Sequence, residues 1–121
     1  MKNNNFLQSF GHALRGIGST MSNERNFRIQ IILGIFAIIG CIIFRVEPWQ
    51  FMLVAFATCL VLAMELVNTA IEALTDLICK GEINPLAKTA KDAAAAAVLI
   101  ASMFAAAVGV VVAISVITRY V

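Results

Sequence analysis

Four polar side chains in an otherwise apolar stretch are the residues of this sequence best suited to chemistry. They are Glu65, Asn68, Glu72 and Asp76, within the run Glu65-Leu-Val-Asn-Thr-Ala-Ile-Glu-Ala-Leu-Thr-Asp76. On a helix advancing about 100° per residue they fall within an arc of about 80°. Three carboxylates and one carboxamide therefore line one face, while the other faces stay greasy. An acid inside a membrane segment costs about 2.5–3.5 kcal/mol on insertion scales, so Glu65, the deepest of the set, calls for an explanation. The bland explanation is a polar seam gluing helices together, with Asn68 and Thr69 hydrogen-bonding a neighbour. Four such residues on one stripe ending at one membrane face favour a working site.

Two further charged clusters belong to the same face. Glu24, Arg25 and Arg28 precede the first apolar block, and Lys88-Thr-Ala-Lys91-Asp92 precedes the last. Each alone has an ordinary reading: an i,i+4 pair of Glu24 with Arg28 in one case, a snorkelling basic patch in the other. Together they bring hard oxygen ligands and cations to one depth. That combination suits a metal-bound polyphosphate. Mg²⁺ prefers one or two carboxylates plus substrate phosphates, and Glu24 and Glu72 are the carboxylates placed to supply them. Lysines neutralise phosphate charge, and phosphoryl transfer needs mostly positioning and charge stabilisation. Glu65 fits a general base for a hydroxyl arriving from the bilayer. The sequence contains neither a G-x-x-x-x-G-K-[ST] loop nor a kinase-type Gly-rich loop, so its nucleotide site is of an unconventional kind.

The elements that position these groups follow from hydropathy. The 121 residues are 61% hydrophobic and 13% charged, with a mean hydropathy of +0.92. That leaves too little charge to cover the surface of a small soluble domain. The apolar residues lie in blocks, from Ile31 to Phe44, Phe51 to Met64 and Ala93 to Ile117. Three spans are predicted, over about residues 27–45, 50–75 and 92–118, within a single membrane-embedded domain covering the whole chain. Lys2, Arg15, Arg25, Arg28, Lys80, Lys88 and Lys91 fall before the first span or between the second and third, and only Arg45 and Arg119 fall opposite. The positive-inside rule then puts the N-terminus and the second loop in the cytosol and the C-terminus outside.

The stretch before the first span carries a third kind of element. Phe6, Leu7, Phe10, Ala13, Leu14 and Ile17 recur at helical spacing, with Gln8, Ser9, His12 and Arg15 between them. This predicts an amphipathic helix over about residues 5–20, lying flat in the interface. Ser22 or Asn23 is expected to cap the first span, with Glu24 at the positive end of its dipole. Val46 to Trp49 is expected to form the outer turn. Pro48 suits the first position of the following helix, and Asn84-Pro85 reads as an N-cap and first helical residue. The polar start, Met1 to Phe10, predicts no cleavable signal peptide. Cys41, Cys59 and Cys79 have no metal-ligand spacing and read as small apolar filler.

The chemistry-bearing residues resemble the prokaryotic diacylglycerol kinase family. Its signature E-x-x-N-[ST]-[SA]-I-E-x-x-x-D is matched throughout from Glu65 to Asp76. Its A-K-D-x-A-A-x-A-V-L element is matched from Ala90 to Leu99, and its Glu-plus-Phe-Arg element by Glu24, Phe27 and Arg28. Glu24-Arg-Asn-Phe27 and the run from Pro85 to Ala95 resemble the Gram-positive branch, whose members act mainly as undecaprenol kinases. The resemblance implies an all-α integral membrane fold: a homotrimeric bundle of three-span protomers, each with an N-terminal surface helix, sharing active sites between neighbours in the bacterial inner membrane. It implies ATP and Mg²⁺, with Glu65 as general base beside Asn68 and with Glu24 and Glu72 holding the metal. Lys91 and Asp92 would meet the phosphates, Asp76 would support the nucleotide site, and His12 aligns with an aromatic that stacks on adenine. The loop from Lys80 to Asn84 corresponds to one that contacts the nucleotide.

Phosphorylation of undecaprenol is the leading expectation, with a diacylglycerol kinase as the alternative on the same scaffold. From another class, a small proton-coupled exporter would also use a membrane-buried glutamate. Against it, the acids cluster at one face, and the third span from Ala93 to Ile117 carries no charge.

Overall fold

The computed structural model describes residues 5–121; Lys2, counted above among the inner cations, lies outside them. The described chain is helical, in the order α1 (Phe6–Asn23), α2 (Arg25–Ile43), α3 (Pro48–Cys79) and α4 (Pro85–Tyr120). The last three are long and apolar enough to cross a membrane. At 1.5 Å per residue α3 spans about 48 Å and α4 about 54 Å, well beyond a hydrocarbon core of about 30 Å. Both therefore extend past the bilayer.

Local chemistry sets the helix ends. Asn84 Oδ1 accepts from the backbone N–H groups of Leu86 (2.8 Å) and Ala87 (3.4 Å), with Pro85 as first helical residue. Pro48 opens α3 behind a capping box, in which the Glu47 side chain accepts from the Gln50 backbone and the Gln50 side chain accepts from Glu47 N. The turn between α2 and α3 is shifted from its expected place: α3 already includes Pro48 and Trp49, and the turn occupies Phe44 to Glu47. Arg45 adopts the left-handed conformation there, as Lys80 and Gly81 do after α3.

The junction of α1 and α2 also departs from expectation. Ser22 and Asn23 do not cap α2. They complete α1, with Ser22 Oγ donating to Gly18 O and Asn23 Nδ2 to Ser19 O. The N-cap of α2 is Glu24, extended at φ −115° and ψ 110° and making no side-chain cap bond. Its carboxylate is left for other partners.

Packing follows one inward seam on α3, formed by Gln50, Val54, Ala57, Val61 and Glu65. Spacings of three and four keep these residues on one side of the helix. Ala101, Val108 and Val112 face it from α4, and Phe27, Gly34 and Cys41, seven residues apart, face it from α2. Small residues let the backbones approach closely. At Gly34 an added Cβ would stand 2.5 Å from Thr58 Cγ2. The Gln50 end of the seam is polar but satisfied, because buried Gln50 donates to Ser115 Oγ at 2.9 Å. Nearby, Arg119 donates to the backbone carbonyls of Phe44 and Arg45, tying the end of α4 to the α2–α3 turn.

Large apolar side chains point outward. Phe36 is 66% exposed and Ile100 69% exposed, whereas the buried core consists mostly of Ala, Val and Cys. A bundle greasier outside than inside is built for lipid or for further helices.

Candidate functional site

The chemistry collects at the Glu65 end of the α3 seam. Glu65 continues the line of Val54, Ala57 and Val61 and is only 6% exposed, so a carboxyl group occupies a core position. Ionisable groups in such positions cost free energy unless partnered or functional. One turn on, Asn68 Nδ2 donates to Glu72 Oε1 at 3.2 Å. Asn68 Oδ1 is buried and has no hydrogen-bond partner. The Thr69 hydroxyl donates to Glu65 O within α3 (3.0 Å), and that of Thr75 donates to Ile71 O (2.9 Å). Neither Asn68 nor Thr69 bonds to another helix of the described chain, so within this chain the seam is not the interhelical glue of the bland reading.

Glu24 joins this group from the α1–α2 junction. The charges of Glu24 and Glu72 both act on Glu65. Glu24 is thus a charge neighbour of Glu65 from 41 positions away in sequence, and Glu72 from two turns along α3. The expected pair of Glu24 with Arg28 does not form. The Arg28 guanidinium turns back to α1 instead, Nη1 donating to Met21 O (2.7 Å) and Ser22 O (3.1 Å). The break at Glu24 bends the chain, so the i,i+4 geometry of a continuous helix does not apply there.

Beyond the carboxylates the site turns cationic. Lys91 Nζ on α4 meets Asp76 Oδ1 on α3 at 2.5 Å and also lies within reach of the Glu72 charge. Lys88 pairs with Asp92 at 2.7 Å one turn away. Asp76, Lys88, Lys91 and Asp92 line a pocket of about 440 Å³ between the end of α3 and the start of α4, with Cys79 contributing from the last position of α3 and Gly81 and Glu82 from the turn. From the sequence Cys79 reads as apolar filler and Glu82 only as part of the Lys80 to Asn84 loop, yet both line this pocket. The left-handed turn at Lys80 and Gly81 brings Glu82 to the wall of the pocket that Asp76 and Lys91 also line.

His12 stands apart from Glu24. It pairs with Arg15 inside α1, and twelve residues of helix separate it from Glu24 by about 18 Å along the axis.

The residues fit a divalent cation held jointly with phosphate. Hard oxygens dominate the cluster, and Asn68 Oδ1 is an orphaned acceptor beside Glu72. No three His, Cys, Asp or Glu side chains among the described residues converge on one point as an all-protein cage. Mg²⁺ is characteristically held by one or two carboxylates with the phosphates completing its shell.

Known proteins supply the family. A profile described as prokaryotic diacylglycerol kinase matches residues 11–113. The chain is 39% identical to a diacylglycerol kinase of Synechocystis sp. over 105 residues, covering 87% of this chain but 60% of that protein's length. It is 36% identical to an undecaprenol kinase of Bacillus subtilis, covering 90% of this chain and 88% of the relative. Identity to a diacylglycerol kinase of Escherichia coli is 31%, over 82% and 80% respectively. The higher identity to the Bacillus than to the Escherichia protein fits the Gram-positive resemblance of the segment around Glu24. With three apolar helices, a carboxylate cluster at one end of the bundle and a match over most of its length, this chain is a multi-pass membrane protein that belongs to the prokaryotic diacylglycerol kinase family.

Proposed function

We propose that this protein transfers the γ-phosphoryl group of ATP to the hydroxyl of a membrane lipid alcohol, with undecaprenol as the preferred acceptor. The observation that carries the reading is a buried Glu65 at the inner end of the core seam, within electrostatic reach of Glu24 and Glu72. A lipid hydroxyl rising along the bundle reaches that carboxylate before it reaches water. Glu65 takes the hydroxyl proton as the oxygen attacks phosphorus, and the bond to the ADP oxygen breaks. Asn68 stands beside it with a free carbonyl oxygen. Glu24 and Glu72 hold the magnesium of Mg-ATP, which when bound neutralises phosphate charge. Lys91 and Asp92 meet the phosphates, and Asp76 orients Lys91 through their ion pair. His12 contributes an adenine-stacking ring.

The rest of the reading concerns assembly. Phe6, Leu7, Phe10, Leu14 and Ile17 on α1 are all exposed, as for a helix lying in the interface. Three protomers associate and share sites, and the cluster faces the cytosol with the C-terminus outside. A shared site would allow His12 of one copy to serve the pocket of another.

Purified protein in nanodiscs, given labelled ATP, Mg²⁺ and each lipid alcohol in turn, tests the proposal. Formation of undecaprenyl phosphate is expected. Phosphorylation of no lipid overturns the kinase reading, and much faster turnover of diacylglycerol overturns only the acceptor. Diacylglycerol is the second reading because two of the relatives above are diacylglycerol kinases. Family membership sets aside the proton-coupled exporter.

A further inference from the structure

Arg28 makes contacts that the proposed reaction does not use. Its Nη1 spans Met21 O at 2.7 Å and Ser22 O at 3.1 Å, both at the carboxyl end of α1. The last carbonyls of a helix lack intrahelical partners, and a cation that bonds them also meets the negative end of the helix dipole. Here the cation comes from the next helix, so the bond is a strut across the junction. Beneath the strut lies Glu24, the single non-helical residue between α1 and α2. Its N–H donates to Thr20 O at 2.8 Å and its carbonyl accepts from Arg28 N at 3.3 Å. Thr20 and Phe27, on either side of the bend, are 5% and 2% exposed, so both flanks are packed. The two backbone torsions of Glu24 decide how α1 leaves α2 and where the Glu24 carboxylate points.

We propose that Arg28 is a positioning residue: by bridging from α2 to the terminal carbonyls of α1, it fixes the bend at Glu24 and holds that carboxylate on the side of Glu65. The inference rests on the proposed role of Glu24 in holding the metal–nucleotide complex. It differs from a salt-bridge role, because Arg28 acts through backbone carbonyls and leaves the Glu24 charge free.

The test uses the full chain in nanodiscs as wild type, Arg28→Ala, Arg28→Lys, Glu24→Gln and the Glu24→Gln/Arg28→Ala double variant. Two readouts are taken: the Mg²⁺ concentration giving half-maximal lipid phosphorylation, and Mn²⁺ binding by EPR with a non-hydrolysable ATP analogue and no lipid. Outer contacts of a metal site typically change affinity by about 10- to 100-fold, so Arg28→Ala should weaken both by about tenfold. Arg28→Lys, which keeps a donor within reach of the carbonyls, should recover most of that loss. In the Glu24→Gln background Arg28→Ala should add nothing, since it acts through the carboxylate already removed. Should Arg28→Ala fail to fold, a smaller shift in Arg28→Lys that vanishes in the Glu24→Gln background supports the proposal equally.

Wild-type Mn²⁺ binding in a folded Arg28→Ala protein overturns the positioning role, as does the same loss in both Glu24 backgrounds. Wild-type binding in Glu24→Gln overturns it as well. Protein that binds Mn²⁺ with nucleotide, responds to Arg28 as described and phosphorylates no lipid sinks the kinase reading alone.

Discussion

Glu65 is the side chain whose loss should be most selective. Glu65→Gln keeps size and polarity and removes the base, so lipid phosphorylation should fall by about two orders of magnitude or more. Circular dichroism and thermal melting should stay close to wild type. Wild-type rates in that variant would remove Glu65 from its role. At Lys91 the expectation differs: Lys91→Ala breaks the 2.5 Å pair with Asp76 and should raise the KM for ATP more than it lowers the affinity for lipid. The stripe from Glu65 to Asp76 was legible because residues on one helix keep their relative angles whatever surrounds them. The true partner of Arg28 was hidden, because the rule that pairs Glu24 with Arg28 assumes an unbroken helix. The structure breaks it at Glu24.

Among the helices, α2 closes on α3 at Gly34. An alanine there would bring its methyl 2.5 Å from Thr58 Cγ2. The Thr58 methyl is held by a hydroxyl that donates to Val54 O at 2.9 Å, so it cannot turn aside without losing that bond. Gly34→Ala should therefore destabilise the bundle by about 1–3 kcal/mol, the usual cost of overpacking. Thr58→Ser in the same chain removes the clashing methyl, keeps the hydroxyl and should restore most of the loss, read as melting temperature in detergent. Independent, additive effects would show that the two do not meet. Hydropathy blocks revealed the three long helices, and Asn84-Pro85 and Pro48 marked where two of them begin. The end of α1 was missed by a few residues because Ser22 and Asn23, good caps in isolation, bond backward into α1.

For the whole molecule, the sidedness of the site is the property to establish. Cys79 lines the pocket between α3 and α4, Cys41 is buried, and Cys59 is exposed in the middle of the apolar stretch of α3. A membrane-impermeant thiol reagent should label Cys79 in inside-out vesicles and not in intact cells. A non-hydrolysable ATP analogue with Mg²⁺ should protect it. Labelling from outside the cell would reverse the proposed orientation. The lopsided lysines and arginines are what predict this sidedness. An assembly is expected from the family resemblance alone, since exposed Phe36 or Ile100 suits lipid and a neighbouring protomer alike.

The two polar ends of the α3 seam, Gln50 and Glu65, are fifteen residues apart. That is about 22 Å along the axis, against about 30 Å of hydrocarbon. A membrane of ordinary thickness must pinch or dimple around the bundle, or else leave one end below its surface. With Gln50 occupied by Ser115, the dimple belongs at Glu65, where headgroups and water would sag toward the acid. Catalysis would then depend on how easily the leaflet deforms. Reconstitution into lipids of increasing acyl-chain length should slow turnover steadily, even with the acceptor alcohol saturating.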